Sequence, residues 1–154
     1  MVREGDPVPE VTMIGMDGQP LRSTDFKGHK LVLYFYPKDD TSGCTKEAQA
    51  FSEHAEAFEK QGAWVLGVSK DSPDSHAKFA RKYDLKVKLA TDPDGAVCEA
   101  FGTWVEKSMY GRKYMGIDRA TFLVDRDGVV KRVWRKVKVP GHVQEVLEAV
   151  AELP

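Results

Sequence analysis

Cysteine is scarce in this chain, with two in 154 residues, Cys44 and Cys98. Two thiols cannot staple a small secreted scaffold, so both are expected free in a reducing compartment, by default the cytoplasm. The opening residues Met1-Val2-Arg3-Glu4-Gly5-Asp6-Pro7 lack the apolar core of a secretory signal. No apolar run approaches the roughly 20 residues that span a bilayer, so no membrane segment is predicted. An excess of one charge is missing too: 23 Lys and Arg stand against 24 Asp and Glu. That balance leaves no overall field to draw nucleic acid or an anionic membrane. Repeats, low-complexity tracts and linkers are absent, which predicts one domain over residues 1–154. The four histidines, His29, His54, His76 and His142, are scattered and show no metal-ligand spacing with the cysteines. They are expected at the surface, with no metal site. The run Arg132-Val133-Trp134-Arg135-Lys136 nearly alternates basic and apolar residues, as a strand with a solvated outer face does.

What the chain does have is concentrated between Leu31 and Phe58. Leu31-Val32-Leu33-Tyr34-Phe35-Tyr36 is an unbroken apolar and aromatic run, the pattern of a strand buried on both faces. Pro37, Asp39, Asp40, Thr41, Ser42 and Gly43 then end the strand and force a loop. Cys44, Ala48, Phe51, Ala55 and Phe58 follow at alternating spacings of four and three, the stripe of an amphipathic helix. Cys44 therefore falls in the first turn of a helix just past a buried strand. Unpaired backbone N–H groups and the positive dipole end meet there, and both favour the nucleophilic thiolate. Crevices beyond the carboxyl ends of strands are also where open α/β folds bind ligands. A buried structural cysteine would fit the same spacing.

Around this stretch the chain reads as alternating elements. Residues 8–22 form two short strands turned at Asp17-Gly18, and residues 23–28 a helical turn closed by Gly28. Ala63–Ser69 is a second buried strand, and Ser72-Pro73 starts a helix through Ala77, Phe79, Ala80 and Tyr83. Val87–Ala90 is a weak strand. Val97, Cys98 and Phe101 sit on a short helix closed by Gly102. Residues 103–117 suggest a long loop or irregular strand. Arg119–Asp125 and Val129–Trp134 form a second hairpin, and residues 140–151 a closing helix. The order β-α-β-α, hairpin, helix describes a thioredoxin-like α/β fold: a central mixed sheet flanked by helices, with an N-terminal hairpin.

Pro37, Thr41 and Cys44 stand in the order Pro-x-x-x-Thr-x-x-Cys. This resembles the active-site loop of the peroxiredoxins, and the string Phe35-Tyr36-Pro37-Lys38-Asp39-Asp40-Thr41-Ser42-Gly43-Cys44 is similar to their bacterioferritin-comigratory-protein (PrxQ) branch. The likeness continues through Thr91–Gly95, Phe101-Gly102 and Asp118–Asp125. It implies the thioredoxin-like fold again, and a peroxidase acting on hydrogen peroxide and organic hydroperoxides without metal or organic cofactor. Thioredoxin or another small thiol would be the reductant, and the chain a monomer or weak homodimer.

Residue by residue, the resemblance makes Cys44 the nucleophile that becomes a sulfenic acid. It gives Thr41 the task of holding the peroxide, Pro37 that of shielding the thiolate, and Arg119 that of stabilising charge beside the sulfur. Without the motif, Thr41 would read as a helix cap, Pro37 as a strand terminator and Arg119 as a solvent-facing strand-end cation. Glu47, in the first turn, could pair with Arg119, while the side chains of Asp39 and Asp40 are expected to point into water. The branch often carries a resolving cysteine five positions after the nucleophile, where this chain has Gln49. That leaves an external thiol, or Cys98 after local unfolding, to close the cycle. The competing functions are a thioredoxin-type oxidoreductase and a chaperone-like binding module. The first normally uses Cys-x-x-Cys, whereas Cys44 is followed by Thr45, Lys46 and Glu47.

Overall fold

A strand whose side chains are apolar on both faces can be stable only between two layers. Strand β3 (Lys30–Phe35), every residue of which is buried, occupies that position in a computed structural model that describes residues 1–154. Ahead of it lie β1 (Thr12–Gly15), β2 (Pro20–Arg22) and a 3₁₀ turn at Ser23–Phe26. After it come α1 (Ser42–Glu53), α2 (Ala55–Lys60), β4 (Ala63–Ser69), α3 (Pro73–Lys82), β5 (Lys88–Thr91) and α4 (Ala96–Phe101). The chain then runs through β6 (Trp104–Met109), β7 (Arg112–Ile117), β8 (Ala120–Val124), β9 (Val130–Trp134) and α5 (His142–Glu152). Seven strands form one mixed sheet in the order β2-β1-β5-β4-β3-β8-β9, with β3, β4 and β5 parallel to their neighbours in that group and the rest antiparallel. This is the thioredoxin-like α/β architecture with its N-terminal hairpin.

The alternation of β3 divides the interior in two. Val32, Tyr34 and Tyr36 face a core with Cys44, Ala48 and Phe51 of α1, Phe58 of α2, Phe79 of α3 and Val143, Val146 and Val150 of α5. Leu31, Leu33 and Phe35 face the other core, with Met13, Val97, Cys98, Phe101 and Phe122. Each of the buried Val, Leu, Phe and Met side chains among them contributes about 1.5–3 kcal/mol of transfer free energy. The strand is thus held from both sides, and its carboxyl end is a fixed platform.

Three departures from the sequence reading have physical causes. The helix expected through Phe58 breaks at His54, whose Nδ1 donates to the Ala50 carbonyl at 2.9 Å, and restarts as α2 with Phe51 and Phe58 still buried. Residues 104–117, expected as a loop or irregular strand, form a regular hairpin turned at Tyr110-Gly111, both at positive φ. Its exposed Met109, Tyr110, Tyr114 and Met115 hide the alternation that would announce strands. His76 and His142, expected at the surface, are 0% and 5% exposed. His142 shares a hydrogen bond with Thr121 Oγ1 at 2.8 Å, and burial pushes its pKa down to about 4, so the ring is neutral.

Gly67 on β4 lies beside Tyr34, its register partner on β3. A Cβ there would come within 2.6 Å of the Tyr34 ring and 2.7 Å of its hydroxyl. The ring is stacked on Phe51 at 4.6 Å and cannot move aside. Gly67→Ala should therefore destabilise the protein by about 1–3 kcal/mol, read as a lowered urea midpoint with an unchanged slope.

Candidate active site

The register of β3 against β8 decides what meets at the strand's carboxyl end. Phe35 pairs with Ala120, so Arg119 falls beside Tyr36, where the chain turns toward α1. The turn passes Pro37, which is exposed, and reaches Thr41 at the N-cap of α1 in extended conformation. Thr41 makes no side-chain cap; its hydroxyl donates instead to the Lys38 carbonyl at 2.8 Å and faces solvent. Its lone pairs stay open to a ligand. Cys44 lies in the first turn, 2% exposed, where backbone N–H groups have no intrahelical acceptor.

Arg119 joins these elements. Its Nη2 donates to Cys44 Sγ at 3.4 Å and its Nη1 to Glu47 Oε1 at 2.7 Å. Gly43 leaves room for the guanidinium, since a Cβ there would stand 3.2 Å from Nη2. Glu47 follows Cys44 by three residues, which puts both on one helix face, and its carboxyl is fully buried with Oε2 unpartnered. Burial pushes the Glu47 pKa up to about 7 against the pull of Arg119. Burial would lower Arg119, but the attraction of Glu47 and Cys44 outweighs it and raises that pKa. The partners differ because the carboxyl is 0% exposed and the guanidinium 17%, so the acid carries more of the desolvation cost.

Thus the structure brings together Thr41, Cys44 and Arg119 around the loop that Pro37 opens, and adds Glu47. A thiolate here has a permanent cation and a helix N-terminus beside it. The half-buried Lys107 of β6 is a further cation that the sequence reading missed. Burial lowers its pKa, partly offset by Asp118, and it feels the charges of Arg119 and Cys44.

Asp39 departs from expectation. It is buried, not turned to water: Tyr36 Oη donates to its Oδ1 at 2.5 Å and Ser75 Oγ to its Oδ2 at 2.8 Å, with His76 Nδ1 also 2.8 Å from Oδ2. Asp40 is exposed as expected, but bound, with Lys82 Nζ at 2.7 Å and Tyr83 Oη at 2.5 Å. Only the Asp-Asp pair in a turn was visible in sequence; partners 36 to 43 residues away were not.

Cys98 is not brought to this site. It is fully buried on α4 beside Val97 and Phe101, in the core on the opposite face of the sheet from Cys44. Asp92 caps that helix, accepting from the backbone N–H of Gly95 and Val97 through Oδ1 and of Cys98 through Oδ2. Burial, reinforced by Asp92, pushes the Cys98 thiol up to about 12, so it stays a neutral apolar filler at ordinary pH. Both cysteines are free thiols.

The chain is similar over most of its length to proteins of known sequence and structure. The AhpC/TSA family profile matches residues 4–133. Peroxiredoxin Bcp of Bacillus subtilis is 42% identical over 149 residues, 97% of this chain and 95% of that one. The solved structure of the Xanthomonas campestris bacterioferritin comigratory protein, studied for its alkyl peroxide reduction, superposes with a TM-score of 0.88 at 41% identity. It covers 94% of this chain and 97% of that one. A cysteine-to-serine mutant of Xylella fastidiosa PrxQ gives a TM-score of 0.92 at 37% identity, covering 97% and 96%.

The buried Glu47 carboxyl has a measurable consequence. Its pKa is about 4.5 unfolded and about 7 folded, so the native state binds the extra proton between those values. Its contribution to stability is therefore complete below pH 4.5 and is lost as pH rises to 7. Glu47→Gln removes this dependence while Arg119 stays charged throughout. The stability of the variant relative to wild type should rise by up to about 3 kcal/mol from pH 4.5 to 8, measured by urea unfolding at both ends. A constant difference would show that Glu47 does not titrate in this range.

Proposed function

The chain belongs to the AhpC/TSA family of peroxiredoxins, and from that membership we propose how its own residues carry out thiol-dependent peroxide reduction. Cys44 is the nucleophile. Its thiolate attacks the distal peroxide oxygen, the O–O bond breaks, and the sulfur leaves as a sulfenic acid. The departing alkoxide or hydroxide takes up a proton to become alcohol or water. Arg119 stabilises the thiolate and then the charge that builds on the oxygens as the bond lengthens. Thr41 accepts a hydrogen bond from the peroxide hydroxyl, and Pro37 keeps water from the sulfur. The observation that carries this reading is the single guanidinium placed 3.4 Å from Cys44 Sγ and 2.7 Å from Glu47.

Hydrogen peroxide and organic hydroperoxides are the substrates in this reading. Reduction of the sulfenic acid is the second half of the cycle. An incoming thiol attacks the sulfur, water leaves, and a second thiol opens the mixed disulfide to regenerate Cys44. We assign this to thioredoxin or another small thiol in a one-cysteine cycle. Gln49 supplies no sulfur, and the placement of Cys98 beneath the other face of the sheet favours an external partner. Residues 1–154 act as one domain, as a monomer or weak homodimer in the cytoplasm. No helix is long and apolar enough to cross a membrane.

Two variants test the assignment, with peroxide consumption followed in the presence of a dithiol. Cys44→Ser should lose peroxide reduction while keeping its circular dichroism spectrum; activity near wild type would remove Cys44 from the role. Cys98→Ser should keep most of its turnover. A Cys44–Cys98 disulfide as the main product of one equivalent of peroxide, with turnover lost in the Cys98 variant, would replace the one-cysteine cycle with an internal one.

A further inference from the structure

We infer that Asp39 and His76 are positioning residues for the peroxide-reducing loop, and that helix α3 acts as its splint. This rests on the peroxidase reading of Cys44. The loop between β3 and α1 sets where Thr41 and Cys44 stand, yet it is six residues of irregular backbone, Tyr36 to Thr41. Two consecutive aspartates in it are gripped by opposite ends of α3. Asp39 is held by Ser75 and His76 at the amino end, and Asp40 by Lys82 and Tyr83 at the carboxyl end. Asp40 has φ +57, a conformation that non-glycine residues keep only when their surroundings impose it. The backbone N–H of Asp39 is fixed as well, donating to Asp71 Oδ2 at 2.8 Å.

Hydrogen counting shows why the buried grip is specific. His76 Nε2 faces the Ala90 carbonyl at 3.0 Å, and a carbonyl only accepts, so that nitrogen carries a hydrogen. The one Tyr36 hydroxyl hydrogen is directed at Asp39 Oδ1. His76 Nδ1 lies 2.8 Å from Asp39 Oδ2, the oxygen that Ser75 Oγ also binds at 2.8 Å. Every polar atom of the pair is thereby used. Asp39, Asp71 and His76 place their ligand atoms within 4.8 Å of one another, but these atoms already bond protein partners, so the cluster is a brace, not a metal cage. The brace runs from Ala90 on β5, through His76 on α3, to Asp39 in the loop and Tyr36 just past β3. It ties the loop to two strands of the central sheet.

A residue that only adds stability would change the melting temperature and leave the folded protein's chemistry alone. A positioning residue moves two rates in opposite directions. With the splint cut, the loop loosens: Thr41 and Arg119 meet the peroxide less often, while the sulfur, 2% exposed in the braced form, opens to bulky reagents. The experiment uses the full chain, reduced, at a temperature where circular dichroism shows it folded. Stopped-flow mixing with hydrogen peroxide and alkylation by iodoacetamide give the two rate constants. His76→Leu should slow the peroxide reaction at least tenfold and speed alkylation of Cys44, and His76→Gln, which keeps a polar group toward Asp39, should recover part of both. Should the leucine variant not fold, Ser75→Ala and Tyr36→Phe each remove one bond to Asp39 and should slow the peroxide reaction about threefold. Folded variants with both constants within twofold of wild type would overturn the splint. A wild-type protein that consumes no peroxide would instead overturn the peroxidase reading itself.

Discussion

A carboxylate with no access to water must find a cation, and in this protein that requirement organises the site. Glu47 sits fully buried under the first turn of α1, and its one charged neighbour is Arg119 from the far half of the chain. Meeting it demands the β3–β8 register that brings Arg119 to the level of Tyr36, and a glycine at position 43 to let the guanidinium through. With those conditions met, the second arm of the guanidinium reaches Cys44. A buried ion pair contributes little net stability, because desolvation cancels much of the attraction. Its value here is directional.

Much of this was legible in the chain before any coordinates. The six apolar residues from Leu31 fixed a two-faced strand, the four-and-three spacing after Cys44 fixed a helix, and glycine-marked turns fixed both hairpins of the main sheet. Those signals are local, and local physics sets them. The misread burial of Asp39 and His76 depends on partners distant in sequence. Asp39 looks like any turn aspartate until Ser75 and His76 close over it, and His76 looks like a surface histidine on a polar helix until its ring meets Ala90. The 104–117 hairpin hides for the opposite reason. Lying outside the main sheet, it is not obliged to show an apolar face.

The roles of Thr41, Pro37 and Arg119 came from the motif and not from spacing, and each had a plainer reading on its own. Geometry changes the weighting unevenly. Thr41 leaves its capping position unused and turns its hydroxyl to solvent, which a pure cap would not do. Arg119 is mostly buried between two acidic groups, unlike a strand-end arginine in water. Pro37 ends the strand, and nothing in its exposed position separates the shielding role from the plainer one.

The sheet also acts as an insulator between the two sulfurs. One layer of hydrogen-bonded backbone, the seven-stranded sheet, stands between a thiol at a helix start and one sealed among Val97, Phe101 and Phe35. In the proposed cycle the oxidised sulfur then has no internal refuge. Its lifetime as a sulfenic acid is set by how soon an outside thiol collides with it, against how soon a second peroxide does, and the latter leads to the sulfinic acid, which is not easily reversed. Such a chain behaves as a fuse whose survival is decided by the ratio of thiol to peroxide around it. Cys98, buried and held as a neutral thiol, lacks the thiolate character that such oxidation favours.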